Sequence, residues 1–430
     1  MSKFFNDTEE RVSLLASTRK EAKEPRENSA NIRWILVVVG GILIQGSVAV
    51  YEIPIFMLGT LHVAPYSYSY TKFNGFFAIS ALSSALAPFI QGPLINKFGF
   101  RYSKILLVCL IWIGQLLFFI GVTQSDTYLS YLGRFLIGSF ETLLAVFYFQ
   151  INHWFNKAQL VKAIGLFVTV SKIGTAANLA LSPYIFELSA DLLAPALIVL
   201  AVVFFNLIIL GITASIGEIR QEEKREVEQA SSGVSDPLPV TFWLSIANVI
   251  LITLSMDCTY YQLNHLISSR FGFSSALSGY LSLIVVGLGG LIFQIRVRKR
   301  YQFSVISALA LVIAHALFAY LPLQEHLGFR VAIPLVFLAI TYSGFELELW
   351  LSLVANSENK QVHSALSWSI FVQKIVFAVS FIVIGVIQDQ TDAGSTFVVS
   401  ETILMGIAIV ATVSSVLHYV MDKRKEESSV

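Results

Sequence analysis

An all-α polytopic membrane fold, with twelve transmembrane helices in two six-helix bundles, is predicted by three features of this chain. Apolar runs of about 20 residues recur from Arg33 to Tyr419, each long enough to cross roughly 30 Å of hydrocarbon. Hydrophobic residues make up 55% of the 430 positions and charged residues 13%, whereas soluble domains carry about 25% charged residues. Lys and Arg, finally, cluster in alternate loops.

The runs fall in order at 33–58, 73–96, 104–124, 128–152, 160–186 and 192–216, then 240–267, 275–295, 303–322, 331–355, 363–387 and 397–420. The polar, mixed-charge residues 1–32 contain no cleavable signal peptide, so the first span must act as its own insertion signal. Basic loops separate the second and third spans (Lys97, Arg101, Lys104), the fourth and fifth (Lys157, Lys162), and the eighth and ninth (Arg296, Arg298, Lys299, Arg300). Lys360 precedes the eleventh span, and Arg220, Lys224 and Arg225 lie in the central segment. The opposite loops hold only Lys72, Arg270 and Arg330. This bias predicts both termini in the cytosol, and the final cluster Lys423-Arg424-Lys425 agrees. The expected organisation is a cytosolic tail (1–32), a six-helix bundle (33–216), a charged and Ser/Gly-rich linker (217–239), a second bundle (240–421) and a short tail (422–430).

Ionisable residues lie inside these spans: Glu52, Glu141, Asp257, Glu346 and Glu348 against Arg134, Lys172 and Lys374. A charge at that depth costs at least roughly 2.5–3.5 kcal/mol, so it faces a partner or a wet cavity. A polar pathway through a helical bundle predicts a secondary transporter. Glu141 stands thirteen residues past Tyr128 and Lys172 fifteen before Glu187, so both lie about 20 Å from one face. Equal depth on sequential helices predicts that they pair, either as a fixed salt bridge or as two poles that part to hold a zwitterion. Arg134, seven residues before Glu141, is expected to be structural or gating. Lys374, fifteen before Asp389, matches the depth of Glu346, sixteen past Arg330. Glu346 and Glu348 point about 200° apart around a helix, so only one can face Lys374, leaving the other for substrate or protons. The excess of carboxylates predicts either a taste for cationic side chains or proton coupling.

The loop Gly92-Pro93-Leu94-Ile95-Asn96-Lys97-Phe98-Gly99-Phe100-Arg101 resembles the G-x-x-x-D-R/K-x-G-R/K-R/K signature of the major facilitator superfamily. Asn96 replaces the acid of that signature and Phe100 its first terminal base, which removes the anionic half of the gate; Lys97 and Arg101 keep the basic half. An ordered set of segments also resembles the lysosomal dipeptide uniporters of that superfamily. It runs Tyr51-Glu52-Ile53-Pro54, Ile113-Gly114-Gln115, Gly133-Arg134-Phe135, Glu141-Thr142-Leu143, Trp154-Phe155, Ser171-Lys172-Ile173-Gly174, Tyr342-Ser343 and Leu349-Trp350. The resemblance implies alternating access without a cofactor, Glu141 answering a peptide ammonium and Lys172 its carboxylate. It also implies that Tyr51 and Trp350 line the cavity, and that a heavily glycosylated single-span subunit accompanies the transporter. A proton-coupled carrier of an amino acid, sugar or drug is the competing expectation.

Glu10, Leu14 and Leu15 are spaced like an acidic dileucine signal read by clathrin adaptors, which predicts a lysosomal or endosomal membrane. The seven His are scattered, and no zinc-protease, phosphate-loop or nucleophile motif occurs, so neither an enzyme nor a metal or nucleic-acid protein is expected. His315, in the ninth span, is expected to be packed or bundle-facing.

Overall fold

The computed structural model describes residues 27–61, 66–155, 157–189, 193–213, 238, 240–294, 300–321, 330–342, 361–392 and 395–428. Every apolar run of the sequence forms helix there. Span 1 is Glu27–Glu52, extended by the 3-10 turn Ile53–Phe56. Span 2 is Tyr70–Ala85, and it resumes in the run Ala87–Thr123, which also contains span 3. Gly99, with φ of 72°, turns the chain between them, a conformation that a side chain resists. The Ser103 hydroxyl locks the turn by donating to the Gly99 carbonyl at 2.6 Å.

Span 4 is Thr127–Ile137 and Phe140–Trp154, span 5 Lys157–Ser189 and span 6 Leu193–Thr213. Span 7 is Val240–Tyr260, broken at Tyr261 and Gln262 and resumed as Leu263–Phe271. Spans 8 and 9 are Ser275–Gln294 and Arg300–Tyr320. Span 10 is described over Ala332–Tyr342, span 11 is Gln361–Asp389 and span 12 Thr396–Ser428. Side-chain caps start some of these helices: the Asp126 carboxylate accepts from the backbone N–H of Tyr128 and Leu129, as an N-cap should. Apolar side chains such as Phe205 and Val410 point outward toward lipid.

Spans 3 and 4 pack backbone against backbone. A Cβ placed on Gly133 would meet Phe118 N at 2.5 Å and the Gly114 carbonyl at 2.6 Å. Small residues permit this approach between membrane helices. Gly133→Ala should therefore cost about 1–3 kcal/mol of stability through overpacking, seen as a lower midpoint of thermal unfolding in detergent; an unchanged midpoint would contradict it.

The two halves, spans 1–6 and 7–12, are joined at the face opposite the termini, here called the far face. Asp389, at the end of span 11, accepts from the backbone N–H of Tyr70 and Thr71 at 2.7 and 3.0 Å, capping span 2 of the other half. Glu187, near the end of span 5, accepts from Ala276 N at 2.7 Å and so caps span 8 of the other half. Each acid neutralises the positive end of a helix it does not belong to. One turn deeper, three buried amides form a closed ring. Asn74 Nδ2 donates to Gln388 Oε1 at 3.2 Å, Gln388 Nε2 to Gln262 Oε1 at 2.6 Å, and Gln262 Nε2 to Asn74 Oδ1 at 2.9 Å. Below the ring Phe77 stacks on Tyr261 with centroids 4.6 Å apart, and Phe381 packs 5.4 Å from Phe77.

Candidate transport site

Span 11 carries the layers of the interface at regular spacing. Gln388 belongs to the amide ring, Phe381 to the aromatic cluster and Lys374 to the layer below, each seven residues or about 10 Å apart. Lys374 Nζ donates to Glu141 Oε1 at 2.5 Å, joining span 11 of one half to span 4 of the other. The two side chains are 18% and 23% exposed, so the pair borders a space open to solvent rather than a dry core. Depth alone predicts that Glu141 pairs with Lys172, and that one of Glu346 and Glu348 faces Lys374. Among the described residues Glu141 pairs with Lys374, while Glu346 and Glu348 lie outside them.

Lys172 donates to the Tyr342 hydroxyl, its ammonium 4.4 Å from the centre of the ring, and thereby crosses from span 5 to span 10. Lys172 stands fifteen residues before Glu187 and Lys374 fifteen before Asp389. Each lysine reaches the opposite half: Lys374 meets the Glu141 carboxylate, and Lys172 meets the Tyr342 hydroxyl while lying within electrostatic reach of Glu52.

Tyr51 packs on Phe140 at 5.3 Å and Tyr261 at 6.3 Å, within the electrostatic reach of Glu141, Lys374, Arg134 and Asp257. Asp257 is partly buried and acts on Lys374 as well. Glu52 is buried beside Thr175 and within reach of Lys172, and its Oε2 has no hydrogen-bond partner among the described residues.

Arg134 has a different setting from the lysines. It is fully buried, and its guanidinium donates to the carbonyls of Val50 at 3.1 Å and Tyr51 at 2.8 Å. Pro54 explains the arrangement. It lacks the N–H that would bond Val50 four residues earlier, so the end of span 1 leaves open carbonyls that Arg134 fills. Its guanidinium also lies 5.5–5.7 Å from the rings of Tyr51, Phe77 and Phe118.

At the face of the termini, Asn96 and Lys97 are exposed beside the Gly99 turn, and Arg101 lies over the ring of Tyr102 at 5.3 Å. The loop is tied to span 4 by Lys104, whose ammonium donates to Gln150 at 2.8 Å. Glu346, Glu348, Trp350, Glu10, Leu14 and Leu15 lie outside the described residues. One intramembrane acid was missed in the sequence. Glu401 sits only five residues into span 12, where it reads as a helix-end charge, yet it is buried against His315.

A family model described as Major Facilitator Superfamily matches residues 35–380. The lysosomal dipeptide transporter MFSD1 of Homo sapiens is 23% identical over 386 residues, covering 82% of this chain and 78% of that protein. Its Bos taurus counterpart is 24% identical over 374 residues with the same shares. Among solved structures, the nucleoside transporter NupG superposes with a TM-score of 0.62 at 12% identity, covering 90% of this chain and 98% of that one. The xylose transporter XylE from E. coli, in a partially occluded inward open conformation, gives 0.65 at 13% identity, covering 88% and 95%. With twelve spans in two halves and a polar centre between them, this multi-pass membrane protein is a secondary transporter rather than an enzyme, and it belongs to the Major Facilitator Superfamily.

Proposed function

We propose that the chain carries dipeptides from the lysosomal lumen to the cytosol by alternating access, as a uniporter. The observation that carries this reading is the partly exposed Glu141–Lys374 pair spanning the two halves, with Lys172 arriving from the opposite side. A dipeptide presents an ammonium and a carboxylate several bonds apart. Its ammonium can take the place of Lys374 on Glu141, while its carboxylate meets Lys172 or the released Lys374. Lys172 offers a point charge without the planar fork of arginine, which suits a broad range of peptides. Glu52 and Asp257 add negative field to the same region and favour peptides with Lys or Arg side chains.

The positive-inside bias supports a cytosolic terminal face and a lumenal far face. The likeness to MFSD1 supports the lysosomal membrane. The tail signal around Leu14 and Leu15 supports sorting by clathrin adaptors, and a glycosylated single-span subunit would shield the lumenal loops. A second reading is favoured by the unpartnered oxygen of Glu52: a proton-coupled carrier of another organic solute. Uptake that collapses with a protonophore would select it.

Thermal unfolding of the purified protein with dipeptides, tripeptides, single amino acids and sugars is the test. A dipeptide at 100 times its dissociation constant should stabilise by about 2.7 kcal/mol, and Glu141→Gln should remove that gain. Stabilisation by another solute class, with none from dipeptides, would overturn the assignment.

A further inference from the structure

We propose that Lys374 is a built-in substitute for the ammonium of the substrate, neutralising Glu141 while the carrier crosses unloaded, and that this lets the chain work as a uniporter. The inference rests on the dipeptide reading above. A uniporter completes its cycle by returning without solute, whereas an exchanger returns only when loaded. The difference lies in what it costs to seal the binding site from water when no solute is in it. A bare carboxylate sealed at mid-membrane is the costly case, because a dry interior penalises an unpaired charge.

The geometry removes that case. Glu141 belongs to span 4 of the first half, and Lys374 Nζ reaches it from span 11 of the second half at 2.5 Å. A compact charge on a long, flexible stem can hold this contact while the two halves rock about it. The pair is also placed where another ammonium can compete, since its side chains keep 18% and 23% of their surface exposed. Toward the far face it is roofed by aromatic rings: Phe377 lies 6.0 Å from Lys374 Nζ and 5.1 Å from Phe381, beside the stacked Phe77 and Tyr261. The amino terminus of a dipeptide and the head of a lysine are both primary ammonium groups with three donors. Exchanging one for the other on Glu141 therefore preserves both charge and hydrogen bonding.

A displaced Lys374 has a destination within its own half. Asp257 of span 7 acts on Lys374 and on Tyr51, and it moves with the bundle that carries the lysine. Lys172 stands in a different relation to the halves. It acts on Glu52, and both belong to the first half, so rocking leaves their separation unchanged; its contact with the second half is the neutral Tyr342 hydroxyl. The Glu141–Lys374 pair has its members in different halves, and Glu141 changes its cation twice in each cycle. The peptide supplies it on the way to the cytosol and the lysine on the return.

The test is steady-state transport of radiolabelled alanyl-alanine by the purified full chain in proteoliposomes. Uptake is measured into empty vesicles and into vesicles preloaded with saturating unlabelled alanyl-alanine. In Lys374→Met, uptake into empty vesicles should fall at least about 100-fold, because each return leaves Glu141 bare. Exchange into loaded vesicles should stay near the parental level. Preloading with N-acetyl-alanyl-alanine, which lacks the ammonium, should not support that exchange. Lys374→Gln keeps a donor for Glu141 without the charge, and it should show the same split if Lys374→Met fails to fold. A folded variant that loses both modes equally, or one that keeps parental uptake into empty vesicles, would overturn the proposal. A parent that carries no dipeptide in either mode would sink the dipeptide reading alone; labelled alanine, which also bears an ammonium, then decides the role of Lys374 in the same two assays. A parent that carries only sugars would overturn both, since no ammonium would replace the lysine.

Discussion

Glu141→Gln and Lys374→Met should each reduce uptake at least 100-fold, and combining them should restore stability without restoring uptake. Each single change leaves one charge of the pair without its partner at a depth where hydrocarbon is close. For a fully buried pair that costs 3–5 kcal/mol, roughly. Here both groups are about one-fifth exposed, so water absorbs part of the loss and about 1–3 kcal/mol is expected. The double variant has two neutral side chains of similar volume and no orphaned charge, so its unfolding midpoint should return close to that of the parent. Its centre would still lack both the acid that holds an ammonium and the cation it displaces. A 100-fold loss corresponds to about 2.7 kcal/mol of binding, a modest share of two charge-assisted contacts. Proteoliposome uptake beside thermal unfolding separates the two roles. Parental uptake by the double variant would reduce the pair to a structural bridge.

Arg134→Met should be the most destabilising single change in the first half. The variant keeps the length of the side chain and removes every donor. The carbonyls of Val50 and Tyr51 would then be left without partners, since Pro54 supplies no N–H and the 3-10 turn redirects the rest. Each unsatisfied buried acceptor costs about 1–3 kcal/mol. The loss of the cation between three aromatic faces adds about 0.5–2 kcal/mol. A total of about 2.5–8 kcal/mol rivals the whole stability margin of many proteins, so little folded protein should be recovered from membranes. Arg134→Lys keeps one ammonium and should be rescued in part. Normal yield and unfolding midpoint for Arg134→Met would show that the carbonyls find other donors.

The helices were legible in the sequence because each apolar run has the length of a membrane crossing, and observed ends such as Ser275–Gln294 fall within a few residues of the predicted ones. The breaks were less legible. Span 7 stops at Tyr260 and span 4 at Ile137 for reasons of packing between helices, and hydropathy does not record them. Depth was readable for the ionisable residues, but direction around the helix was not. Lys172 and Lys374 each lie fifteen residues before an acid of the far face, Glu187 and Asp389, so nothing in their depth could tell which of them meets Glu141. Tyr342 entered only through the family resemblance and not as a site residue, because a tyrosine in an apolar run looks like packing, and Glu401 was missed because it is near an end. His315 was correctly placed inside the bundle, but its partner could be found only in three dimensions.

The amide ring of Asn74, Gln262 and Gln388 is made of neutral groups. Its hydrogen bonds neither titrate nor weaken in concentrated salt as an ion pair would. Each member both gives and takes one bond, so the circle has a rotational sense and no weakest member. Gln262 and Gln388 both belong to the second half, so parting the halves withdraws Asn74 alone and leaves a donor on Gln262 and an acceptor on Gln388. Two primary amides can close on each other through paired N–H···O bonds, so the second half keeps its polar groups covered when the halves part, and Asn74 alone has to exchange its bonds for water.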